Sequence, residues 1–421
     1  MTQGRHRLRF SDGELIPLGG SGENGRNCFL VAFSGRYVLL DCGVRRDAKA
    51  SPQKAYPSLD QKLVSRLDAV FLSHAHEDHC AALPLLYRLG YRGVIYASIE
   101  TLSLAPEMIQ KWMNYIKDQK GILPYDEEDA RLLRFSQLEP GISNINGIKV
   151  LAGRSGHTVG SLWFALGQED AADWQLFYSG DMCLSSPLLA HDLPPPCQAA
   201  VIDSANADQT IDIQAQYTRL EGMIQDTWNN QGHLLMPVPA SGRGSDLLLY
   251  CAQGFSHIPL WAEEKIHQRC LELLGQANWL RKDIPSAQVL ASVHVVRTDA
   301  QREAAANQPA GIYLATDGML TGKASQYYIS RFSENARDTV LITGHAATGT
   351  PAQKLLEEEY RRSNKIRMNV SRLVIKVHLD AADVLWLCDV LKTRNVMPFH
   401  AREETCAKLR EQIAALPAIR A

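Results

Sequence analysis

Short apolar runs that end in turn-forming or charged residues recur along the chain, and they predict two folding patterns. Residues 1–207 carry closely spaced runs typical of strands, and the same pattern returns in residues 371–421. Between them, residues 208–370 alternate strand-like runs with helical periodicity, which predicts an α/β arrangement. Near the end, an apolar run at 374–377 predicts a strand, and a helix is predicted at 381–393.

Acidic and histidine residues follow several of these apolar runs. The densest group follows the run at 70–72, and it comprises His74, His76, Asp78 and His79. Other predicted strands end in Asp41, His157, Asp181 and Asp203. Histidine nitrogen and carboxylate oxygen are the ligands that zinc and similar cations prefer. Five such strand ends therefore predict a metal site at one edge of a sheet.

Structural roles remain open as alternatives for some of these features. A lone histidine beside a strand is more often a packed residue than a ligand, and Asp41 fits a turn as well as a functional acid. The glycine-rich stretch 19–27 is most simply a turn between strands; the alternative is a phosphate-binding loop, although no helix pattern follows it. The cationic run 361–367 fits a solvated helix end at least as well as a phosphate contact.

Composition narrows the class of protein. With 421 residues the chain is expected to form two or three domains, and 45% hydrophobic and 21% charged residues are typical of a globular protein. A net charge of -2 means that any nucleic-acid binding must use a local patch. No run approaches the ~18 apolar residues of a membrane span. Nine scattered cysteines and an N-terminus without an apolar signal segment predict the cytoplasm.

Taken together, these residues resemble the motifs of the metallo-β-lactamase superfamily, specifically its β-CASP branch of nucleic-acid-processing nucleases. The first four motifs match Asp41, the His74–His79 group, His157 and Asp181, and motifs A, B and C of the branch resemble Asp203, His378 and His400. Three departures stand out. Asp203 lies in Ile-Asp-Ser where Glu-Ser-Thr is more usual, Val377 replaces a small residue, and His-Ala-Arg-Glu replaces His-Gly-Glu after Phe399.

The resemblance implies an αββα sandwich built from residues 1–207 and 371–421, with a β-CASP domain inserted at 208–370 and the substrate in the cleft between them. It also implies two zinc ions. One would be held by His74, His76 and His157, and the other by Asp78, His79 and His400, with Asp181 bridging. Asp41 would orient the ligands. His378 would act as the general acid or stabilise the leaving group, with Asp203 holding its tautomer.

The implied activity is hydrolysis of RNA phosphodiester bonds by a two-metal mechanism, as an endonuclease, a 5′-exonuclease or both. His400 favours single-stranded RNA, because DNA-repair members of the branch usually have valine there. The alternatives are a DNA nuclease, a small-molecule metallohydrolase and a catalytically inactive scaffold subunit. A homodimer or an accessory protein complex, without a membrane, is the expected assembly. By resemblance, substrate contacts are expected from Arg243, Gly318, Gly349 and Thr350.

Overall fold

The computed structural model of the protein describes residues 7–48, 51–169, 171–344 and 346–419. Residues 1–6, on which the expectation about a signal segment partly rests, lie outside these ranges. The chain divides into two compact units. The first comprises Met1–Thr210 and His378–Ala421, and the second comprises Ile211–Val377. The sequence-based boundaries were 207/208 and 370/371.

The strands of the described residues are numbered β1 to β19. They are β1 Leu8–Phe10, β2 Gly13–Gly19, β3 Cys28–Phe33, β4 Arg36–Leu40, β5 Ala69–Phe71, β6 Ile95–Ala97, β7 Phe135–Gln137, β8 Gly141–Ile145, β9 Ile148–Arg154, β10 Leu162–Gln168, β11 Trp174–Tyr178, β12 Cys197–Asp203, β13 His233–Pro237, β14 Leu260–Glu263, β15 His294–Val296, β16 Gly311–Ala315, β17 Thr339–Ile342, β18 Asn369–Arg372 and β19 Val396–Phe399.

The α-helices of the same residues are numbered α1 to α15. They are α1 Pro52–Ala55, α2 Gln61–Val64, α3 Glu77–Cys80, α4 Leu83–Arg88, α5 Ile99–Asp118, α6 Glu127–Arg131, α7 Ile213–Asn229, α8 Arg243–Gly254, α9 Glu264–Leu274, α10 Asp299–Ala306, α11 Lys323–Phe332, α12 Pro351–Leu356, α13 Glu358–Ser363, α14 Ala381–Val390 and α15 Glu403–Ala414. None of them is long and apolar enough to cross a membrane.

Two sheets form the centre of the first unit. One has the order β1-β2-β3-β4-β5-β6-β7, and the other has the order β19-β12-β11-β10-β9-β8. Each begins with antiparallel hairpins and changes to parallel pairing, at β4–β5 in the first sheet and at β11–β12 in the second. Parallel pairing brings successive strand ends to the same edge, which is where the candidate ligands follow.

The two sheets pack face to face, and helices cover their outer faces. Aromatic pairs join the inner faces, with ring centroids 5.6 Å apart for Phe29 and Tyr178 and 5.5 Å apart for Phe71 and Phe164. On the outside, α4 and α5 pack on the first sheet, and α14 and α15 pack on the second. This is an αββα sandwich, so the predicted fold class is confirmed.

The second unit is built on one parallel sheet of its own, in the order β15-β14-β16-β13-β17-β18. Its three central strands, β13, β16 and β17, are buried along their whole length rather than alternately, because helices cover both faces of such a sheet. Residues of α10, α11 and α12 share a core with β13, β16 and β17. The α/β alternation predicted for this part of the chain is confirmed.

One predicted strand is wrong. Residues 374–377 are not a strand; the strand lies earlier, at β18, and pairs with β17 in the second unit. The chain then leaves the sheet while its backbone remains hydrogen-bonded to the end of β17 and the residue after it. The amides of Leu373 and Ile375 donate to the carbonyls of Ile342 and Thr343. The apolar run is therefore an irregular, partly buried segment, and an apolar pattern alone does not distinguish such a segment from a strand.

Candidate metal centre

The candidate ligands follow strands of both sheets in the sandwich. Asp41 follows β4, and His74 and His76 follow β5; His157 follows β9, Asp181 follows β11, Asp203 ends β12 and His400 follows β19. Asp78 and His79 lie on α3, directly after His76. The prediction of a single sheet edge is therefore wrong, because facing edges of two packed sheets contribute. The geometry brings ten predicted residues, His378 included, into one cluster.

Three histidines and one aspartate form the first group. The ligand atoms of His74, His76, His157 and Asp181 all lie within 4.8 Å of one another. Asp181 Oδ2 is 3.6 Å from His74 Nε2 and 3.7 Å from His157 Nε2. His74, His157 and Asp181 are buried, and His76 is exposed on the open side of the group.

A second group lies on the other side of Asp181. It contains Asp78, His79 and His400, again with ligand atoms within 4.8 Å. Asp181 Oδ1 is 3.1 Å from His79 Nε2 and 3.2 Å from His400 Nδ1, and Asp78 Oδ2 is 3.2 Å from His400 Nε2. Each carboxylate oxygen of Asp181 thus faces a different group, which is the arrangement of a bridging carboxylate.

Hydrogen bonding within the cluster is incomplete in a way that suits cations. His74 Nε2, Asp181 Oδ1 and His400 Nδ1 are buried, and none has a hydrogen-bond partner in the described part of the chain. Buried polar atoms without partners cost free energy and call for an explanation. Convergent imidazole nitrogens and carboxylate oxygens are the donor set of zinc and related divalent ions. The residues present therefore fit a divalent metal site.

Electrostatics keeps one of these ligands ready to bind. Burial lowers the pKa of His74 well below its ordinary value, and the neighbouring imidazoles of His79 and His76 lower it further, because protonation of more than one ring in the cluster is unfavourable. The neutral imidazole is the form that binds a metal. His74 is therefore expected to stay unprotonated at neutral pH without any partner having to remove a proton.

Asp41 organises the second group from behind. Its carboxylate accepts hydrogen bonds from the backbone and side chain of Ser73, both at 2.7 Å, from Tyr178 Oη, and from His79 Nδ1 at 2.6 Å. Because Nδ1 of His79 donates to Asp41, the lone pair of that ring lies on Nε2, toward Asp181. The sequence identified Asp41 as a candidate site residue but did not indicate Tyr178, because Tyr178 belongs to no recognisable motif.

Two glycine-rich segments allow the chain to pass close to these ligands. Gly43 approaches the backbone of Asp78 so closely that a Cβ atom there would lie 1.6 Å from its carbonyl oxygen. The stretch between β2 and β3 is a turn followed by a strand, as its simpler interpretation predicted. It also carries Asn27, a site residue missed from sequence, whose side chain contacts His79 and Asp78.

Comparison with known proteins identifies the family. Residues 21–171 match the model of the metallo-β-lactamase superfamily, and residues 248–355 match that of the β-CASP domain. The chain belongs to the β-CASP branch of the metallo-β-lactamase superfamily. A crystal structure of a protein of unknown function from Enterococcus faecalis V583 shares the fold, with a TM-score of 0.58, 13% identity, and coverage of 94% of this chain and 96% of that one.

Three curated relatives match most of this chain at 24% to 28% sequence identity. Endoribonuclease ysh1 of Schizosaccharomyces pombe is 24% identical over 96% of this chain and 56% of its own. Integrator complex subunit 11 of Gallus gallus is 24% identical over 95% of this chain and 70% of its own length. Transcription termination factor FttA of Lokiarchaeum is 28% identical over 86% of this chain and 60% of its own length. The chain thus spans 56% to 70% of the length of these relatives.

In this β-CASP protein, His378 and Asp203 form a pair beside the two ligand groups. His378 Nδ1 lies 2.9 Å from Asp203 Oδ2, which also accepts from the backbone amide of Met182 at 3.1 Å. Burial lowers the pKa of His378, but the negative charges of Asp203 and Asp181 outweigh it and raise the pKa above its ordinary value. His378 precedes α14 in an irregular segment, rather than ending a strand as predicted.

The predicted substrate-binding residues lie in the β-CASP unit, at the carboxyl ends of β13, β16 and β17. Arg243 begins α8 and packs on Gly344, with Nη1 donating to the carbonyl of Ile375 at 3.4 Å. Its Nε is buried and has no partner in the described residues. Gly318 lies beside Pro239, because a Cβ atom added to Gly318 would lie 3.6 Å from Cδ of Pro239.

Gly349 and Thr350 lie in the loop before α12. Gly349 has a positive φ of 84° and open space around it, and the Thr350 hydroxyl accepts from the amide of Gln353 as the helix cap. The backbone amide of Ala352 donates to the carbonyl of Met319, so this loop and the one carrying Gly318 touch. The structure therefore gathers the four residues along three neighbouring strand ends of one sheet.

Proposed function

We propose that the protein is a metal-dependent ribonuclease that hydrolyses phosphodiester bonds of single-stranded RNA. The observation that carries this proposal is the position of Asp181 between two complete ligand groups, with the His378–Asp203 pair alongside. Two divalent ions a few ångströms apart are the common device for hydrolysing phosphodiesters. The name endoribonuclease, carried by the relative from Schizosaccharomyces pombe, supports RNA as the substrate class.

The metals proposed are two zinc ions, one in each group. His74, His76 and His157 would hold the first, and Asp78, His79 and His400 the second, with Asp181 shared. Ions held there would supply Lewis acidity toward the scissile phosphate and toward a water molecule. Asp41 would keep His79 in the tautomer that presents Nε2, because a carboxylate beside Nδ1 fixes the proton there.

The proton needed by the leaving oxygen would come from His378. Its raised pKa keeps the ring protonated over a wider pH range, and the Nδ1 contact with Asp203 directs the other nitrogen away from that carboxylate. The amides of Met182 and Ala205 donate to Asp203 and hold it in place. Proton transfer from a positioned imidazole contributes about 10²–10⁴-fold to rate in comparable enzymes.

RNA contacts outside the centre would come from the β-CASP unit. Residues 208–370 contain 16 lysines and arginines against 17 aspartates and glutamates, so a local group must supply the attraction. Arg243, Gly318, Gly349 and Thr350 are proposed for this role because they lie at adjoining strand ends, where backbone and arginine can approach a phosphate. The nine free, buried cysteines support the cytoplasm as the place of action. The relative named as a complex subunit supports an accessory protein complex, and a homodimer is the alternative assembly proposed.

Purified protein incubated with 5′-labelled single-stranded RNA tests the proposal, with and without a chelator. We expect cleavage that the chelator abolishes, and loss of about 10²-fold or more in Asp181→Ala and His378→Ala. His257→Ala, at an exposed histidine of the second unit, is the matched control and should cleave at the normal rate. The ladder of labelled products separates endonuclease from 5′-exonuclease action.

The same assay distinguishes the remaining alternatives. Preferential cleavage of a DNA strand of the same sequence would identify a DNA nuclease instead. Activity on a thioester but not on either nucleic acid would identify a small-molecule hydrolase. Undiminished cleavage by Asp181→Ala would show that a contaminating nuclease acts, and intact RNA with fully metal-loaded protein would leave the scaffold role.

A further inference from the structure

Asn27 lies at the second ligand group although no motif identifies it. The residue is completely buried, and its Nδ2 is 2.8 Å from His79 Nε2 and 3.3 Å from Asp78 Oδ2. With the Nδ1 proton of His79 directed at Asp41, the neutral ring, which is the form that binds a metal, carries its lone pair on Nε2. The amide end of Asn27 is therefore at the point where the lone pairs of two candidate ligands converge.

The surrounding backbone is built to keep this amide in position. The amide of Asn27 donates to the carbonyl of Asp78 at 2.9 Å, and its carbonyl accepts from Gly43 at 3.0 Å. Gly20, at a positive φ of 84°, leaves room for the side chain, since a Cβ there would lie 2.5 Å from Asn27 Oδ1. The turn before β3 thus places one polar side chain against the centre.

The other end of the amide has no use in this arrangement. Asn27 Oδ1 is buried and without a hydrogen-bond partner in the described residues, which ordinarily destabilises the folded state. A half-turn about the last side-chain bond exchanges the two ends, and the nearly equal size of NH₂ and oxygen makes this sterically cheap. After that turn, the oxygen faces His79 Nε2 and Asp78 Oδ2.

We propose that Asn27 supplies a neutral amide oxygen to the cation held by Asp78, His79 and His400. This inference rests on the proposed two-metal function and specifies its second position. With Asn27 and the shared Asp181, that position offers three oxygens and two nitrogens, whereas the first offers three nitrogens and one oxygen. Carboxylate and amide oxygens suit Mn²⁺, and imidazoles suit Zn²⁺. The second position is therefore the one that accepts Mn²⁺ in place of Zn²⁺.

Metal binding by purified full-length protein tests the inference without using activity. Titration calorimetry with Zn²⁺ or Mn²⁺, with metal content checked by mass spectrometry, is compared for the wild type, Asn27→Ala and Asn27→Asp. We expect two equivalents in the wild type. Asn27→Ala should bind the second equivalent about 10–100-fold more weakly and the first unchanged, with the larger loss for Mn²⁺. Asn27→Asp, which keeps an oxygen, should retain the second equivalent.

Gln175→Ala is the matched control. Gln175 is a buried amide on β11 whose Oε1 also lacks a partner in the described residues, but it is not a member of the cluster. Its variant should bind both equivalents normally.

Three outcomes would overturn the role of Asn27. They are unchanged binding in Asn27→Ala, equal weakening of both equivalents, and weakening of the same size in Gln175→Ala. A wild type that binds no divalent ion would refute the proposed function instead.

Discussion

The Asp41 carboxylate belongs to neither candidate ligand group, but it contacts His79, a member of the second group. Three donors meet one oxygen, since Ser73 Oγ, Tyr178 Oη and His79 Nδ1 all contact Oδ2. A carboxylate oxygen is an acceptor that suits several converging donors. The backbone of Asp41 is left-handed, with a φ of 57°, and Asp and Asn tolerate this conformation better than most residues.

Asp41→Asn is therefore a sharp test, because it preserves shape and backbone while placing a donor among donors. We expect divalent-metal affinity to fall about 10–100-fold, mainly at the position of His79. Tyr178→Phe removes one of the three donors and should have a smaller effect in the same direction. Titration calorimetry measures both, and equal affinity in Asp41→Asn and wild type would contradict the prediction.

The members of the two candidate ligand groups could be predicted from the sequence, whereas the residues that contact them from outside could not. His74 to His79 form a dense local pattern, and Asp181 and His400 each follow an apolar run. Tyr178 and Asn27 contact residues far away in the chain, and such contacts leave no recognisable spacing in the sequence. The family resemblance supplied the order of the motifs but not these contacts.

At the scale of elements, the strands with partners on both sides were predictable and the segment at the end of the second unit was not. Residues 374–377 have the composition of a strand, yet β18 has already taken the edge position beside β17. A strand needs an adjacent ladder, which is a property of the sheet and not of the segment. His378 follows this irregular segment and precedes α14. Its position therefore could not be predicted from the local sequence pattern either.

Helix α8 carries a buried carboxyl group that makes the second unit sensitive to pH. Burial raises the pKa of Asp246 to about 7, although Arg243 opposes the rise. The unfolded chain ionises this group near its ordinary value of about 3.9. The protonated Asp246 therefore contributes to the free energy of unfolding at about pH 4 and below. This contribution falls as the pH rises and is lost above about pH 7.

Asp246→Asn should consequently stabilise the protein in a pH-dependent way. We expect little difference from the wild type near pH 4.5 and a gain of roughly 2–4 kcal/mol at pH 8. Thermal unfolding followed by circular dichroism across this range measures the difference. Asp226→Asn, at an exposed carboxylate on α7, should show no such trend. A gain that is constant with pH would contradict the assignment to Asp246 ionisation.

At the scale of the whole molecule, one unit interrupts the other in sequence. The second unit, Ile211–Val377, has its own parallel sheet and core, whereas the first needs residues on both sides of the interruption. β19, from the far side, pairs with β12, and α14 and α15 supply the outer layer of the second sheet. The two units are therefore unequal in their dependence on the rest of the chain.

Two fragments test this inequality. Residues 211–377 expressed alone should fold, with dispersed amide resonances and cooperative unfolding. A chain ending at residue 377 should aggregate, because β12 becomes an unpaired edge and the apolar face under α14 and α15 is exposed. Size-exclusion chromatography and NMR measure both. A molten 211–377 fragment, or a monomeric and folded 1–377 fragment, would contradict the prediction.

The pairing of β19 with β12 also has a consequence for protein synthesis. His79 leaves the ribosome 321 residues before His400 (400 − 79), so at ~5–20 residues per second the early half of the centre waits roughly 16–64 s for its last ligand. During that interval the nascent chain carries a partial metal site beside the messenger that encodes it. Because His378 and His400 arrive only after the inserted unit, the proposed ribonuclease centre stays incomplete throughout that interval.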